Sequence, residues 1–167
     1  MASGRSNKII GQTGEYLVAA ELGRRGLIAT TFTGNVPHYD IIASDEEGQH
    51  VSVQVKAGRG SSWQFGDISQ YCDITFEGKK QIVGRERECP VRDLVVVFVR
   101  IAQDGDDKFY VLPWTTLRDL LKKKHEDYLA KHNGTRPKSW ESMHTAIYEK
   151  DLAPYQDDWD GITNALR

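Results

Sequence analysis

Hydrophobic positions along this chain keep a helical period first, a strict alternation next, and an unbroken run later. From Lys8 to Arg25 apolar residues recur at helical spacing, which predicts a helix over 8–25. Gly26 closes it, and Arg24 and Arg25 sit in the last turn, where cations suit the helix dipole. Leu27–Phe32 is rich in β-branched residues and reads as a strand, and His38–Ser44 as a second. Asp45–Gln49 is a turn by composition. Val51–Ala57 then alternates, with Val51, Val53 and Val55 on one face and Ser52, Gln54 and Lys56 on the other. The two strands flanking the turn predict a hairpin.

Gly58–Ser62 breaks this pattern, and Trp63–Arg92 shows no clear period. A short strand near Asp73–Phe76 is expected there, and otherwise loop. Asp93–Ile101 is a near-continuous apolar run, as expected of a central strand covered on both faces. Phe109–Leu112 reads as an edge strand stopped by Pro113. Thr115 or Thr116 would cap a helix running to about Lys131, with Leu117, Leu120, Leu121, Tyr128 and Leu129 on one side and Asn133-Gly134 ending it. The order implies an α/β fold, a mixed sheet flanked by helices.

The chain has 167 residues, 39% hydrophobic and 28% charged, an ordinary soluble composition. One domain over 1–167 is expected, with 132–167 a C-terminal extension packed on its core. The net charge of −2 neither advertises nor excludes nucleic acid, because a basic groove can sit on a neutral protein. Cys72 and Cys89 suggest no disulfide framework, and neither lies at zinc-ligand spacing. No apolar run has signal-peptide or membrane-span character, so a cytoplasmic protein is expected. No Gly-rich phosphate loop and no G-x-S-x-G elbow is present.

The candidate chemistry lies early. Glu15 shares a helix face with Val18, Ala19 and Leu22, which puts a carboxylate on the packed side, where an unpaired charge is expensive. Its ordinary alternative is a rim residue or a partner of Lys8. Asp40 falls inside the predicted strand, where aspartate is disfavoured unless something needs it; the alternative is a strand-end cap. Gln54 and Lys56 share one strand face, which is also what a plain half-exposed sheet face looks like. Their combination says more than any one. The hairpin can bring Asp40 near Gln54 and Lys56, and two carboxylates with an amide oxygen are a partial shell for a hard divalent cation. Such an ion would polarise a phosphodiester, with Lys56 beside the attacking water or the developing charge.

On these pieces the chain resembles the PD-(D/E)XK, or restriction-endonuclease-like, nuclease superfamily, including its Holliday-junction-resolvase-like members. The matching segments are Gly14–Leu22 followed by Arg25-Gly26-Leu27, then Val36-Pro37-His38-Tyr39-Asp40-Ile41, then Val53-Gln54-Val55-Lys56-Ala57. The resemblance implies a restriction endonuclease-like mixed central sheet. It implies Glu15, Asp40 and Gln54 as ligands of Mg²⁺ or Mn²⁺, and Lys56 as the catalytic lysine. Gln54 stands where the family usually carries an acid; its amide oxygen can ligate but brings no charge.

The implied function is a divalent-metal-dependent endonuclease hydrolysing DNA phosphodiester bonds. The alternative is a catalytically inactive module of the same fold that binds nucleic acid or protein. A homodimer is compatible with the resemblance, though no dimer face is legible. Lys8, Arg59, Ser61 and Trp63 are candidate nucleic-acid contacts, by phosphate affinity and base stacking. Trp63 as a core residue is its alternative. A basic run, Lys122-Lys123-Lys124, Lys131, Arg136 and Lys138, is either a further phosphate surface or a solvated helix face.

Overall fold

The structure is a computed structural model and describes residues 4–34 and 36–167. In chain order the elements are α1 (Gly4–Arg24), β1 (Ile28–Thr31), β2 (Ile41–Ser44), β3 (His50–Gly58), β4 (Ser62–Phe65), β5 (Cys72–Glu77), β6 (Lys80–Glu86), β7 (Val95–Arg100), β8 (Lys108–Pro113), α2 (Trp114–Ala130), β9 (Thr145–Tyr148), α3 (Glu149–Leu152) and α4 (Asp160–Ala165). They form two compact units: one of residues up to 61, 89–114 and 149–167, the other of 62–88 and 115–148.

The first unit holds a five-stranded mixed sheet in the order β1-β2-β3-β7-β8. Only the β3/β7 pair is parallel. Parallel neighbours need a long connection, and here that connection contains the 62–88 segment of the second unit. Alternation decides the packing. Val51 and Val53 of β3 join Ile41, Ala43, Val95, Val97, Val99 and Val111 on one face, buried with Val18 and Leu22 of α1. Trp159 and Ile162 from the chain's last segment complete this core. The opposite face of β7, Val96 and Phe98, is buried as well, so the apolar run expected of a central strand is one.

α1 approaches β3 closely at one residue. A Cβ on Gly14 would overlap the Ala57 Cβ and touch Val55. α1 also starts earlier than the apolar spacing suggests, because its first turn is polar and leaves no period to read. β2 starts later. His38 takes a left-handed φ of 75°, which breaks the extended run and leaves Asp40 just before the strand rather than inside it.

In the second unit β4 pairs with β9, and β5 pairs with β6 as a hairpin. The loop expected across most of 63–92 is therefore largely strand. The reason is a polar residue in a core position. Gln81 is 3% exposed in β6, with its amide hydrogen-bonded to the carbonyls of Trp140 and Ser142. A buried glutamine hides the apolar half of an alternation. Pro113 ends β8, and α2 begins at once with Trp114, without the Thr115 or Thr116 cap.

The α1–β3 approach gives a stability prediction. Alanine is the better helix former by ~1 kcal/mol, yet Gly14→Ala is expected to destabilise the protein by about 2 kcal/mol net, since its methyl meets strand atoms with little room to yield. Urea unfolding checks this; an unchanged or raised midpoint would show that the helix can lift off β3 freely.

Candidate active site

Asp40 is fixed by the strand beside it. Its N–H donates to the Val53 carbonyl at 2.9 Å, and its Oδ2 accepts from the Val55 N–H at 2.7 Å. The side chain thus extends the β2/β3 ladder past the end of β2. Continuing the register in which Ile41 faces Val53 sets Asp40 opposite Gln54. Its Oδ1 has no hydrogen bond among the described residues.

Glu15 is half-buried on α1, a turn before buried Val18. It and Asp40 line one cavity of about 460 Å³, with Lys8 and Gln12 of α1 and with Phe32 and Tyr39. The two rings meet edge-on, centroids 5.7 Å apart, and stiffen that wall. Glu15 has no hydrogen bond among the described residues. Burial and then the neighbouring charge of Asp40 push its carboxyl above the ordinary glutamate range.

Gln54 and Lys56 sit on the other face of β3 from Val53 and Val55, level with Val96 and Phe98 of β7. Neither lines the cavity that holds Glu15. The Gln54 Oε1 is buried without a hydrogen-bond partner. Burial holds the Lys56 ammonium below the ordinary lysine range, while Asp40 pulls the other way. Asp40 therefore acts electrostatically on both Glu15 and Lys56.

Among the remaining candidates, Lys8 lines the cavity. Arg59 and Ser61 are exposed in the turn after β3 and do not line it. Trp63 corrects an expectation: it is buried, 6% exposed, in β4 of the second unit, so its ring is closed to base stacking. Gln12, Phe32 and Tyr39 were not singled out from the sequence. Lys8, Gln12 and Glu15 at i, i+4 and i+7 share a helix face, a signal that points to Gln12.

The donor set fits a hard divalent cation. Glu15 and Asp40 supply two carboxylates, and Gln54, opposite Asp40 in the continued strand register, has a buried oxygen without a hydrogen-bond partner. Among the described residues no group of three or more His, Cys, Asp or Glu gathers, so a third protein ligand would have to be an amide or main-chain oxygen such as that of Gln54.

No family model matches the sequence, and no curated protein matches it. Among solved structures the chain is similar to a bacterial homing endonuclease, I-Ssp6803I, with a TM-score of 0.51 and 16% identity, covering 95% of this chain and 94% of that one. The fold is restriction-endonuclease-like. The chain is also similar to the Hjc Holliday junction resolvase of Archaeoglobus fulgidus, with a TM-score of 0.41 and 14% identity, covering 86% and 88% of the two chains. The mixed five-stranded sheet with α1 on its face is the part of the molecule that carries Glu15, Asp40, Gln54 and Lys56. Among the described residues no helix is long and apolar enough to cross a membrane.

The raised carboxyl of Glu15, a result of burial and then of Asp40's charge, is measurable without a substrate. A carboxyl whose pKa is raised by folding favours the native state while protonated, below the ordinary glutamate range. That advantage is lost as pH rises through the raised pKa. Glu15→Gln is therefore expected to raise the melting temperature at neutral pH in EDTA, and to change little under acid conditions below the ordinary range. Scanning calorimetry reads this, and a lowered neutral melting temperature for Glu15→Gln would refute the raised carboxyl.

Proposed function

We propose that this protein is a divalent-metal-dependent endonuclease that hydrolyses DNA phosphodiester bonds, with Glu15, Asp40 and Gln54 as oxygen ligands and Lys56 as the catalytic lysine. One observation carries this reading: Asp40 is locked by a main-chain hydrogen bond between a repelled carboxylate and a lysine of lowered pKa. A plain polar sheet face has no reason to gather those groups. The likeness of fold to an endonuclease supports the same reading.

When bound, Mg²⁺ or Mn²⁺ supplies Lewis acidity toward the scissile phosphate and acidifies water. The chain's own groups do the rest. The Val55 N–H holds Asp40 in one orientation, so little ordering is needed on binding. Glu15 gives up its proton more reluctantly than an ordinary glutamate, so occupancy of the site should rise with pH. Lys56, depressed by burial, reaches its neutral form at lower pH than a surface lysine. It can then take a proton from the attacking water, or as ammonium donate to the developing phosphoryl charge.

DNA as partner and a cytoplasmic location belong to this proposal, as does a homodimer to address two strands. So does the reading of one nuclease-like domain with 132–167 as its extension.

Cleavage of linear, nicked, branched and single-stranded DNAs in Mg²⁺ or Mn²⁺, with EDTA as control, tests the proposal. Lys56→Ala and Asp40→Asn should each lower the rate by roughly 10²-fold or more while circular dichroism stays native. Gln54→Glu should bind the cation more tightly and cleave at least as fast. If Lys56→Ala cuts like wild type and Gln54→Glu alters neither ion binding nor rate, these residues are only the polar face of β3. Binding without cleavage would instead favour the inactive nucleic-acid-binding module, and no binding the protein-interaction module.

A further inference from the structure

The cavity beside Glu15 and Asp40 has an aromatic wall that the proposed chemistry does not use. Phe32 follows β1 directly, and Tyr39 precedes Asp40. Both line the cavity, and both are half-buried. Neither belongs to the core that packs around Val18 and Val53. Rings of this size ordinarily serve a core, so a pair kept out of that core and set at a cavity calls for another use. Their contact is edge-to-face, with 5.7 Å between centroids and the planes at 70°. In that geometry the ring that offers its edge keeps both faces out of the contact.

The wall is fixed where the carboxylates are fixed. Thr31 faces Ile41 in the β1/β2 register, and continuing it sets Phe32 opposite Asp40. Tyr39 is the next residue to Asp40, which is tied to Val53 and Val55 of β3. His38 turns the chain just before Tyr39 with a left-handed φ of 75°, a conformation uncommon outside glycine. Two rings are thus held within one residue, along or across the strands, of a proposed metal ligand. The cavity's volume of about 460 Å³ falls within the range of small-molecule sites, about 300–1,000 Å³. Lys8 and Gln12 line it from α1, two turns and one turn before Glu15.

We propose that this cavity takes the nucleotide adjoining the scissile phosphate, its base laid against Phe32 and Tyr39, so that the substrate is DNA with unpaired nucleotides at the cut rather than continuous duplex. The inference rests on the nuclease reading, which sets the phosphate beside Glu15 and Asp40. Stacking on an aromatic ring is open to every base, because each has a π-face. A base in a duplex must first leave its pair and its stack, whereas one in a single strand, flap or bulge has little to give up. The cavity therefore discriminates by pairing, not by sequence. Lys8 meets the next phosphate along the strand, a contact that positions without reading a base.

Fluorescence anisotropy on the full chain tests this with two dye-labelled probes of one sequence, a single strand and its blunt duplex. Binding is read in Ca²⁺, which takes oxygen ligands, with gels confirming that the label stays uncut. The wild type should bind the single strand at least about 5-fold more tightly than the duplex. Phe32→Leu and Tyr39→Leu should each weaken single-strand binding by about 5-fold or more and move duplex binding by less than about 2-fold. Tyr39→Phe keeps the ring and should keep the preference. Phe76→Leu removes an aromatic ring from β5, outside the cavity, and should change neither affinity. The inference is overturned if the wild type binds neither probe, or binds the duplex as tightly as the single strand, a comparison that needs no variant to fold. It is overturned too if the leucine variants lose both affinities in parallel, as a merely structural role predicts, or lose neither. Cleavage of continuous duplex in Mg²⁺ as fast as of bulged or single-stranded DNA sinks this inference and leaves the nuclease reading standing. A single-strand preference that both leucine variants lose, with a wild type that cleaves nothing, sinks the nuclease reading and leaves a nucleotide-binding cavity.

Discussion

Helix α1 lies where it does because Gly14 carries no side chain. Gly14 meets Ala57 of β3 with no room for a side chain between them, and Glu15 is the next residue along the helix. A helix turns 100° per residue, so a contact that fixes the rotation of Gly14 also fixes the direction in which its neighbour leaves the axis. The apolar stripe of Val18 and Leu22 continues the same constraint one and two turns on. Core packing and the aim of a carboxylate are thereby one fact. A larger residue at 14 would lift the helix and swing Glu15 together.

The second fixed point is Asp40. A short side chain that accepts a ladder hydrogen bond in place of a main-chain carbonyl cannot wander, and Val55 ties it to the strand carrying Gln54 and Lys56. Glu15 is referenced to β3 through Gly14, and Asp40 through Val55. Both acids are thus located by one strand, the strand that also supplies the amide and the lysine. β3 in turn is held on both sides, by β2 and by the deeply buried β7. Placing side chains relative to a strand paired on both sides limits their motion more than placing them on loops would.

This explains what was legible in the sequence. Val51–Ala57 shows a plain alternation because one face is core and the other polar, and β7 shows an unbroken run because both its faces are buried. The order of Glu15, Asp40, Gln54 and Lys56 could be read because those residues sit on or beside such elements. Whether they share one cavity could not be read. Gln54 and Lys56 face away from α1, and only Asp40 links the two sides, through a side-chain hydrogen bond that no periodicity encodes. The second unit was harder for the same physical reason. β6 buries Gln81 where an apolar residue would announce a strand, and β4 is four residues long. Of the basic run, the sequence shows only that cations cluster; it takes Glu86 and Asp127 in place to show that Lys122 and Lys123 belong to ion pairs.

Gln54 then looks less like a defect than a charge adjustment. Burial, and then the charge of Asp40, already raise the Glu15 carboxyl, in surroundings that also penalise the Lys56 charge. A third carboxylate opposite Asp40 would deepen the repulsion in the ion-free protein, and folding would have to overcome it. An amide keeps an oxygen at that place without adding charge, and under the proposed function two carboxylates would balance one divalent cation. On that proposal the ion would be held less tightly than by a third carboxylate. Such a site is cheap to fold empty, and the proposed function would have it depend on the concentration of metal and on the substrate's own phosphate oxygens to complete the shell.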